Sequence, residues 1–209
     1  YFADTGNAPY GTKSDAELCR LVRADIDRLR EAGCHKILIA CGTASSIYEK
    51  LPTEYRLGTF PILLPTAKRA ARVTKNGKIG ILATEATVRL GVLGRAVRKE
   101  RPDVTLFCAA AGELVTLAEE GRTSDRDPVA RAAVERALLP FSGSGIDTLI
   151  LGCTHFHRLS ALISKRMPKV DLVTAAEEGA HAMIRALSPE EACGGARLLF
   201  LKDTAEAVK

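Results

Sequence analysis

The order of apolar and amphipathic segments along the chain predicts an α/β fold. Short apolar runs bounded by turn residues alternate with segments whose apolar residues recur at helical spacing. This alternation is typical of strands that are connected by helices in a parallel sheet. The predicted strands are 36–40, 59–64, 78–83, 104–108, 148–152, 170–173 and 196–201. The predicted helices are 14–32, 44–50, 67–73, 88–100, 113–120, 128–138, 159–167 and 175–186.

The chain divides at the turn Lys75-Asn76-Gly77, where a fresh strand begins. We predict two related lobes, each with a parallel sheet of the Rossmann-like or flavodoxin-like type. The first lobe comprises residues 1–74 together with 175–209, and the second comprises residues 75–174. The first helix has a clear beginning, because Ser14 and Glu17 stand at capping-box spacing.

One motif occurs twice, 112 positions apart. An apolar strand delivers Cys41 and then Thr43 into a helix start, and a second strand delivers Cys153 and Thr154 in the same way. Groups at the carboxyl ends of parallel strands line the ligand crevice of open α/β sheets. We therefore expect the two cysteines to face one cleft between the lobes.

Composition narrows the classes of function. The chain has 209 residues, of which 46% are hydrophobic and 26% charged, and its formal charge is +5. Without an apolar run of roughly 18 residues or a signal-peptide pattern, we expect a soluble, cytoplasmic protein that does not enter membranes. The basic cluster at 68–72 has no interleaved aromatic residues, so we expect no nucleic-acid partner. The six widely spaced cysteines indicate reduced thiols.

The chemistry that suits two facing thiols is proton transfer. A thiol just before a helix N-terminus meets the positive end of the helix dipole, which favours the thiolate. One thiol can then remove a proton from a carbon centre while the other returns a proton from the opposite face. His155 could pass protons to Cys153 or cap the helix. Cys153, His155 and His157 could instead bind zinc, but no second ligand pair stands elsewhere, so no metal is expected. We interpret His157, His181 and the other four cysteines as structural.

Four segments in order carry a resemblance to the aspartate/glutamate racemase superfamily, and to glutamate racemases within it. The chain resembles that family over most of its length, at 1–14, Ala40-Cys41-Gly42-Thr43-Ala44-Ser45, 80–87 and Leu151-Gly152-Cys153-Thr154-His155-Phe156. The resemblance implies two pseudo-symmetric α/β lobes with the active site between them and a cofactor-free, two-cysteine interconversion of L- and D-glutamate. It also implies a role in supplying D-glutamate for peptidoglycan, and a homodimer.

The resemblance also implies roles for particular residues. Cys41 would act on the D-isomer and Cys153 on the L-isomer, with His155 assisting Cys153 and Glu119 as its acidic partner. Glu119 is equally well interpreted as a solvated acid at a helix end. The expected substrate-binding residues are Pro9, Tyr10, Gly11, Gly42, Thr43, Thr84, Thr87 and Thr154.

Three departures from the family pattern keep alternatives open. The family normally starts with a strand that carries the sequence D-S-G, and nothing before Tyr1 supplies it. We therefore expect the first lobe to lack its first strand and the half-site of Cys41 to be weaker. Gly42 replaces an asparagine, which removes a substrate-binding amide, and His157 replaces a proline. The alternatives are a related aspartate racemase, hydantoin racemase or maleate-isomerase-like enzyme, or an impaired homologue that binds a small carboxylate.

Overall fold

The computed structural model describes residues 1–187, which form two parallel sheets. Its strands are β1 Ile37–Ile39, β2 Thr59–Pro61, β3 Lys78–Ala83, β4 Thr105–Ala110, β5 Thr148–Leu151 and β6 Asp171–Thr174. The smaller sheet pairs β1 with β2, and the larger has the order β4-β3-β5-β6. All four pairings are parallel. The predicted α/β class with two parallel-sheet lobes is confirmed, whereas the strand predicted at 196–201 lies outside the described residues.

The helices follow the predicted order with several shifted or divided bounds. They are α1 Asp15–Glu31, α2 Gly42–Ser45, α3 Thr53–Arg56, α4 Leu63–Val73, α5 Glu85–Leu90, α6 Val92–Glu100, α7 Glu113–Glu119, α8 Pro128–Leu138, α9 Ser160–Arg166 and α10 Ala175–Ala186. Ser14 caps α1 by accepting the Glu17 N–H at 3.3 Å, but the Glu17 carboxylate binds Lys13 at 2.9 Å instead of completing the capping box.

Three predicted elements differ from the structure. The helix predicted at 88–100 is two helices, because Gly91 has a φ of +64°, a left-handed conformation that ends α5. The strand predicted at 59–64 stops at Pro61, and α4 begins at Leu63 with Pro65 in its first turn, where a backbone N–H has no helical partner anyway. The helix predicted at 44–50 is α2 followed by a separate 3-10 turn, Tyr48–Lys50.

The larger sheet is covered by helices on both faces. Helices α4 and α6 pack on one face, and α7, α8 and α9 pack on the other. Every residue of β5 is buried, as expected for a central parallel strand. No helix in residues 1–187 combines the length and the apolar character that a bilayer crossing requires.

Contacts between the two sheets' cores run across the predicted lobe boundary. Ala67 and Ala70 of α4, inside the predicted first lobe, pack with Ile79 and Ile81 of the larger sheet. Leu90, from the predicted second lobe, enters the core formed by α1 and β1. Helix α10 packs on α4 and β2. The division into 1–74 plus 175–209 and 75–174 stays a prediction, and the packing ties the parts closely together.

Candidate active site

The two repeated cysteines occupy equivalent positions at strand ends. Cys41 lies between β1 and α2, and Cys153 lies between β5 and the 3-10 helix Thr154–Leu159. Each has extended backbone and immediately precedes the helical segment. Thr84 occupies the corresponding place after β3, where it caps α5. The carboxyl ends of three strands therefore supply the polar groups of one region.

The two cysteine loops are in direct backbone contact. A Cβ atom built on Gly42 would lie 3.7 Å from the Cα of Cys153 and closer than 3.0 Å to the carbonyl oxygen of Gly152. The ionised Cys41 sulfur is also near enough to raise the pKa of the Cys153 thiol. The structure thus brings Cys41 and Cys153 together at one site.

A chain of polar contacts extends behind Cys153. Its sulfur lies 3.7 Å from Nδ1 of His155, and Nε2 of His155 lies 3.3 Å from Oε1 of Glu119 at the end of α7. Both ring nitrogens of His155 are therefore engaged, one by the thiol and one by the carboxylate. An imidazole held in this way can carry a proton to or from the sulfur.

Burial raises the pKa of the Cys153 thiol to about 12. The backbone N–H of His155 opposes that shift by favouring the thiolate, whereas the negative charge of Cys41 adds to it. Since each thiolate disfavours the other, the pair is expected to hold at most one negative charge near neutral pH. Burial favours the protonated form of both thiols, so a thiolate at either cysteine has to be stabilised by the N–H groups at the following helix start.

Cys41 differs from Cys153 in its exposure and in its partners. The residue Cys41 is exposed, and Cys153 is buried. The protein atoms around the Cys41 sulfur desolvate it and raise its pKa, while the N–H groups of Ala44 and Thr43 and the Thr43 hydroxyl lower it in part. The prediction that the helix starts leave both cysteines with a net preference for the thiolate is wrong, because desolvation exceeds the effect of the N–H groups.

Four buried hydroxyl groups form a continuous chain beside Cys41. The Thr43 and Thr84 oxygens are 2.9 Å apart, and those of Thr84 and Thr87 are 3.0 Å apart. The Ser46 oxygen lies 3.4 Å from that of Thr87 and donates to the Gly42 carbonyl at 2.9 Å. Three predicted substrate-binding threonines are therefore together, and their chain crosses from α2 to α5.

The segment containing Pro9, Tyr10 and Gly11 approaches the same region. A Cβ built on Gly11 would lie 3.5 Å from the Cβ of Thr84, whereas Pro9 is exposed. The Tyr10 hydroxyl is not free, because it lies 2.7 Å from Oδ2 of Asp4 and 2.9 Å from Oδ2 of Asp25. Substrate binding by Tyr10 stays a prediction, and it is Gly11 of this segment that lies against Thr84.

The remaining predicted groups have mixed positions. Thr154 begins the 3-10 helix after Cys153 and is partly exposed beside it. Nδ1 of His157 lies 3.8 Å from Oε1 of Glu177 on α10. Across residues 1–187, no three His, Cys, Asp or Glu side chains meet as metal ligands would. Cys193 lies outside the described residues.

Gly42 has a structural role that its comparison with the family's asparagine did not reveal. The place of a side chain at position 42 is taken by the Gly152 carbonyl. Gly42 is thus a contact between the two cysteine loops. Even the methyl group of an alanine at position 42 would require the two loops to move apart.

Sequence reasoning missed three polar residues near the site. Ser46 closes the hydroxyl chain, and Asp4 and Asp25 hold Tyr10. Burial raises the pKa of Asp25 to about 6, partly opposed by the hydrogen bond from Tyr10. Ser46 could have been noticed as a hydroxyl one turn after Gly42, but the pairing of Asp4 with Asp25 depends on the fold.

Comparisons with known proteins identify the family. The model of the family described as Asp/Glu/Hydantoin racemase matches residues 5–182. Glutamate racemase from Corynebacterium diphtheriae is 37% identical over 192 residues, which cover 90% of this chain and 71% of that protein.

Solved structures agree with this assignment. The crystal structure of glutamate racemase isoform RacE1 from Bacillus anthracis has a TM-score of 0.81 and 27% identity, and the match covers 91% of this chain and 71% of that one. Glutamate racemase from Escherichia coli, in complex with L-glutamate and the activator UDP-MurNAc-ala, has a TM-score of 0.71 and 27% identity, covering 90% and 72%. The chain therefore belongs to the Asp/Glu/Hydantoin racemase family, whose members are isomerases.

Proposed function

We propose that this chain interconverts L- and D-glutamate without a cofactor, with Cys41 and Cys153 as the paired acid and base. The observation that supports the proposal is the direct contact of the two cysteine loops, which lie next to each other. Glutamate as the substrate is supported by the relatives, since those described above are glutamate racemases.

In the proposed mechanism each cysteine serves one enantiomer. The Cys41 thiolate removes the α-proton of D-glutamate, and the Cys153 thiol protonates the resulting carbanion on the opposite face to give L-glutamate. The reverse reaction exchanges the two roles. His155, held by Glu119, would take the Cys153 proton and return it, and Thr43, Thr84, Thr87 and Thr154 would bind the substrate's polar groups with the backbone of Tyr10 and Gly11.

A wider role is also part of the proposal. The structure of the E. coli enzyme contains L-glutamate and the activator UDP-MurNAc-ala. Supply of D-glutamate for peptidoglycan in the cytoplasm by a homodimer is accordingly part of the proposal.

The experiment is α-proton exchange in deuterated water. L- and D-glutamate are incubated separately with the protein, deuterium at the α-carbon is measured by NMR, and inversion is measured by chiral chromatography. We expect exchange and inversion from both enantiomers, with Cys108→Ala as a control that removes an exposed thiol outside the site. Absence of both exchange and inversion would overturn the proposal.

The alternative functions give different results in the same experiment. Faster inversion of aspartate than of glutamate indicates an aspartate racemase, and turnover of a hydantoin or of maleate indicates the corresponding relatives. Binding of glutamate without exchange indicates a carboxylate-binding homologue. Gly42 is the observation that favours this last outcome, because the loops it joins are closed against each other.

A further inference from the structure

The segment that precedes α1 is held on that helix by a tyrosine placed between two carboxyl groups. The Tyr10 hydroxyl lies 2.7 Å from Oδ2 of Asp4 and 2.9 Å from Oδ2 of Asp25. Asp4 belongs to the same segment as Tyr10, whereas Asp25 lies on α1. The contact with Asp25 therefore joins the segment to the helix.

These contacts need one proton more than the tyrosine carries. A tyrosine hydroxyl has a single proton, so it can donate fully to Asp4 or to Asp25 but not to both. If both carboxyl groups were ionised, one contact would bring two oxygens together without a proton between them. Both contacts become hydrogen bonds when one carboxyl group is protonated and donates to the Tyr10 oxygen.

The contacts of Asp4 indicate that Asp25 is the group that carries the additional proton. Both oxygens of Asp4 accept from the Asn7 amide, at 3.0 and 2.9 Å, and its contact with Tyr10 is the shorter of the two. Both partners are donors, which suits a carboxylate at Asp4. The Tyr10 proton is thus directed to Asp4, and the Tyr10 oxygen is left to accept from Asp25.

The surroundings of Asp25 favour its protonated form on balance. Burial raises its pKa to about 6 and the negative charge of Asp4 acts in the same direction, whereas a hydrogen bond from Tyr10 and the charge of Arg28 oppose the rise. When Tyr10 donates to Asp4, its opposition is absent. Arg28, on α1 itself, also lies over the ring of Phe2, 5.5 Å from its centroid. Burial raises the pKa of Tyr10 above its ordinary value, so the hydroxyl keeps its proton.

The other side of the same segment faces the candidate active site. The 3-10 turn Tyr10–Thr12 packs on α2 and α5, the helices that carry Thr43 and Thr87. A Cβ built on Gly11 would lie 3.5 Å from the Cβ of Thr84 and 3.8 Å from its Cγ2. Because Tyr10 and Gly11 are consecutive, the way Tyr10 is held on α1 affects how Gly11 lies against Thr84.

We propose that Asp25 is a positioning residue whose protonated carboxyl group holds Tyr10 on α1 and thereby keeps Gly11 against Thr84. Its role in catalysis rests on the proposed function, in which the backbone of Tyr10 and Gly11 binds the substrate. The step is the release of one proton from Asp25 to solvent as pH rises. The contribution of this group is present at low pH and is lost as pH rises through about 6. Above that value the segment loosens at the site.

The test is NMR spectroscopy of the full chain without substrate. The nuclear Overhauser effect between the α-protons of Gly11 and the methyl group of Thr84 is recorded from about pH 5 to about pH 8, together with the amide shift of Gly11. In the parent protein we expect a strong effect at low pH that weakens as pH rises. The ratio of loosened to held segment should rise by at most about tenfold per pH unit, the limit set by one proton. None of these quantities depends on turnover.

Two substitutions of Asp25 should act in opposite ways. In Asp25→Asn the amide can donate to the Tyr10 oxygen but does not titrate, so the Gly11–Thr84 effect should persist across the pH range. In Asp25→Ala no donor remains, so the effect should be weak even at about pH 5. A role that is merely structural predicts a loss in both variants. If the alanine variant does not fold, the asparagine variant alone decides between these results.

Asp27→Asn is the matched control. Asp27 also lies on α1 and accepts the Tyr55 hydroxyl at 3.0 Å, and it is the one carboxyl group hydrogen-bonded to that tyrosine in residues 1–187. This variant should titrate like the parent protein. A Gly11–Thr84 effect that does not depend on pH in the parent protein, or that falls equally in Asp25→Asn, would overturn the proposal.

Racemisation measured over the same pH range tests the catalytic part separately. The rise of KM for glutamate above about pH 6 should be smaller in Asp25→Asn than in the parent protein, with little change in kcat. Equal rises of KM in the two proteins would overturn the positioning role. Absence of racemisation in a parent protein whose NMR signals titrate as expected would refute the proposed function alone, because the contact of Asp25 with Tyr10 is then still confirmed.

Discussion

Replacing Gly42 with alanine tests whether the two cysteine loops depend on their backbone contact. The added Cβ would lie closer than 3.0 Å to the Gly152 carbonyl oxygen and 3.3 Å from its carbon. These are backbone atoms, so rotation of a side chain cannot relieve the overlap. The loops must move apart, and with them Cys41 and Cys153.

The magnitude follows from two opposing effects. Overpacking of this kind costs up to about 3 kcal/mol, and alanine gains about 1 kcal/mol over glycine within a helix. The net loss is about 2 kcal/mol. For a chain of this size the melting temperature should fall by about 4–8 °C. A shift of about 1 Å in the thiols should reduce kcat about a hundredfold.

The assay combines thermal unfolding with racemisation of glutamate, and Gly6→Ala is the control. Gly6 lies in an exposed turn, where an added Cβ meets no atom within 4 Å. The control should change neither quantity appreciably. If Gly42→Ala melts at or above the parent temperature and racemises glutamate at the parent rate, the contact does not set the geometry of the site and the reasoning is refuted.

Three further predictions concern the thiols and two carboxyl groups. Cys153→Ala should abolish α-proton exchange from L-glutamate, and Cys41→Ala should mainly abolish exchange from D-glutamate. Each substitution should lower the exchange rate by more than the factor of roughly 10²–10⁴ that is typical of assisting acid–base groups. Equal, small effects of the two substitutions would contradict this prediction. The pKa of Asp127 is lowered to about 2 by Arg122 and by the N–H groups of Ala130 and Val129. The ionised Asp127 therefore stabilises the fold above the ordinary pKa of aspartate, and this contribution is lost as pH falls toward 2. Asp127→Ala should therefore lower the melting temperature at pH 7, and the difference should shrink between about pH 4 and pH 2. Because the pKa of Asp25 is raised to about 6, the fold loses stability as pH rises through that value. Asp25→Asn should thus melt higher relative to the parent protein at pH 7 than at pH 4, and a difference independent of pH would contradict the assignment.

The sequence predicts the position of the thiols because strand ends are local features. An apolar run that stops at Cys41 or Cys153 marks the carboxyl end of a strand, and parallel strands carry those ends to one edge. The helix at 128–138 was equally predictable, since Asp127 caps it and Pro128 begins it. By contrast, Gly91 divides α5 from α6 through a backbone conformation that helical periodicity does not reveal.

The sign of the thiol pKa shifts could not be predicted from the sequence. The helix starts after Cys41 and Cys153 are visible in the sequence, but the desolvation that exceeds them depends on how the two loops pack. The contact of Asp25 with Tyr10 joins residues 15 positions apart through the folding of α1 against the preceding turn. Such effects are tertiary, and residue type alone does not specify them.

Contacts between the cysteine loops set the separation of the thiols more firmly than the surface charges do. Asp15 of α1 binds Arg89 of α5 at 2.7 Å, but both side chains are substantially exposed, and such ion pairs contribute little to stability. The Thr43–Thr84 hydrogen bond and the Gly42–Gly152 contact are buried at the centre. Under the two-thiol mechanism a substrate's α-carbon must lie between the sulfurs, and these central contacts hold the two cysteine loops on which the sulfurs stand. A substitution at Gly42 or Thr43 is therefore expected to change racemisation more than a substitution at Asp15 or Arg89.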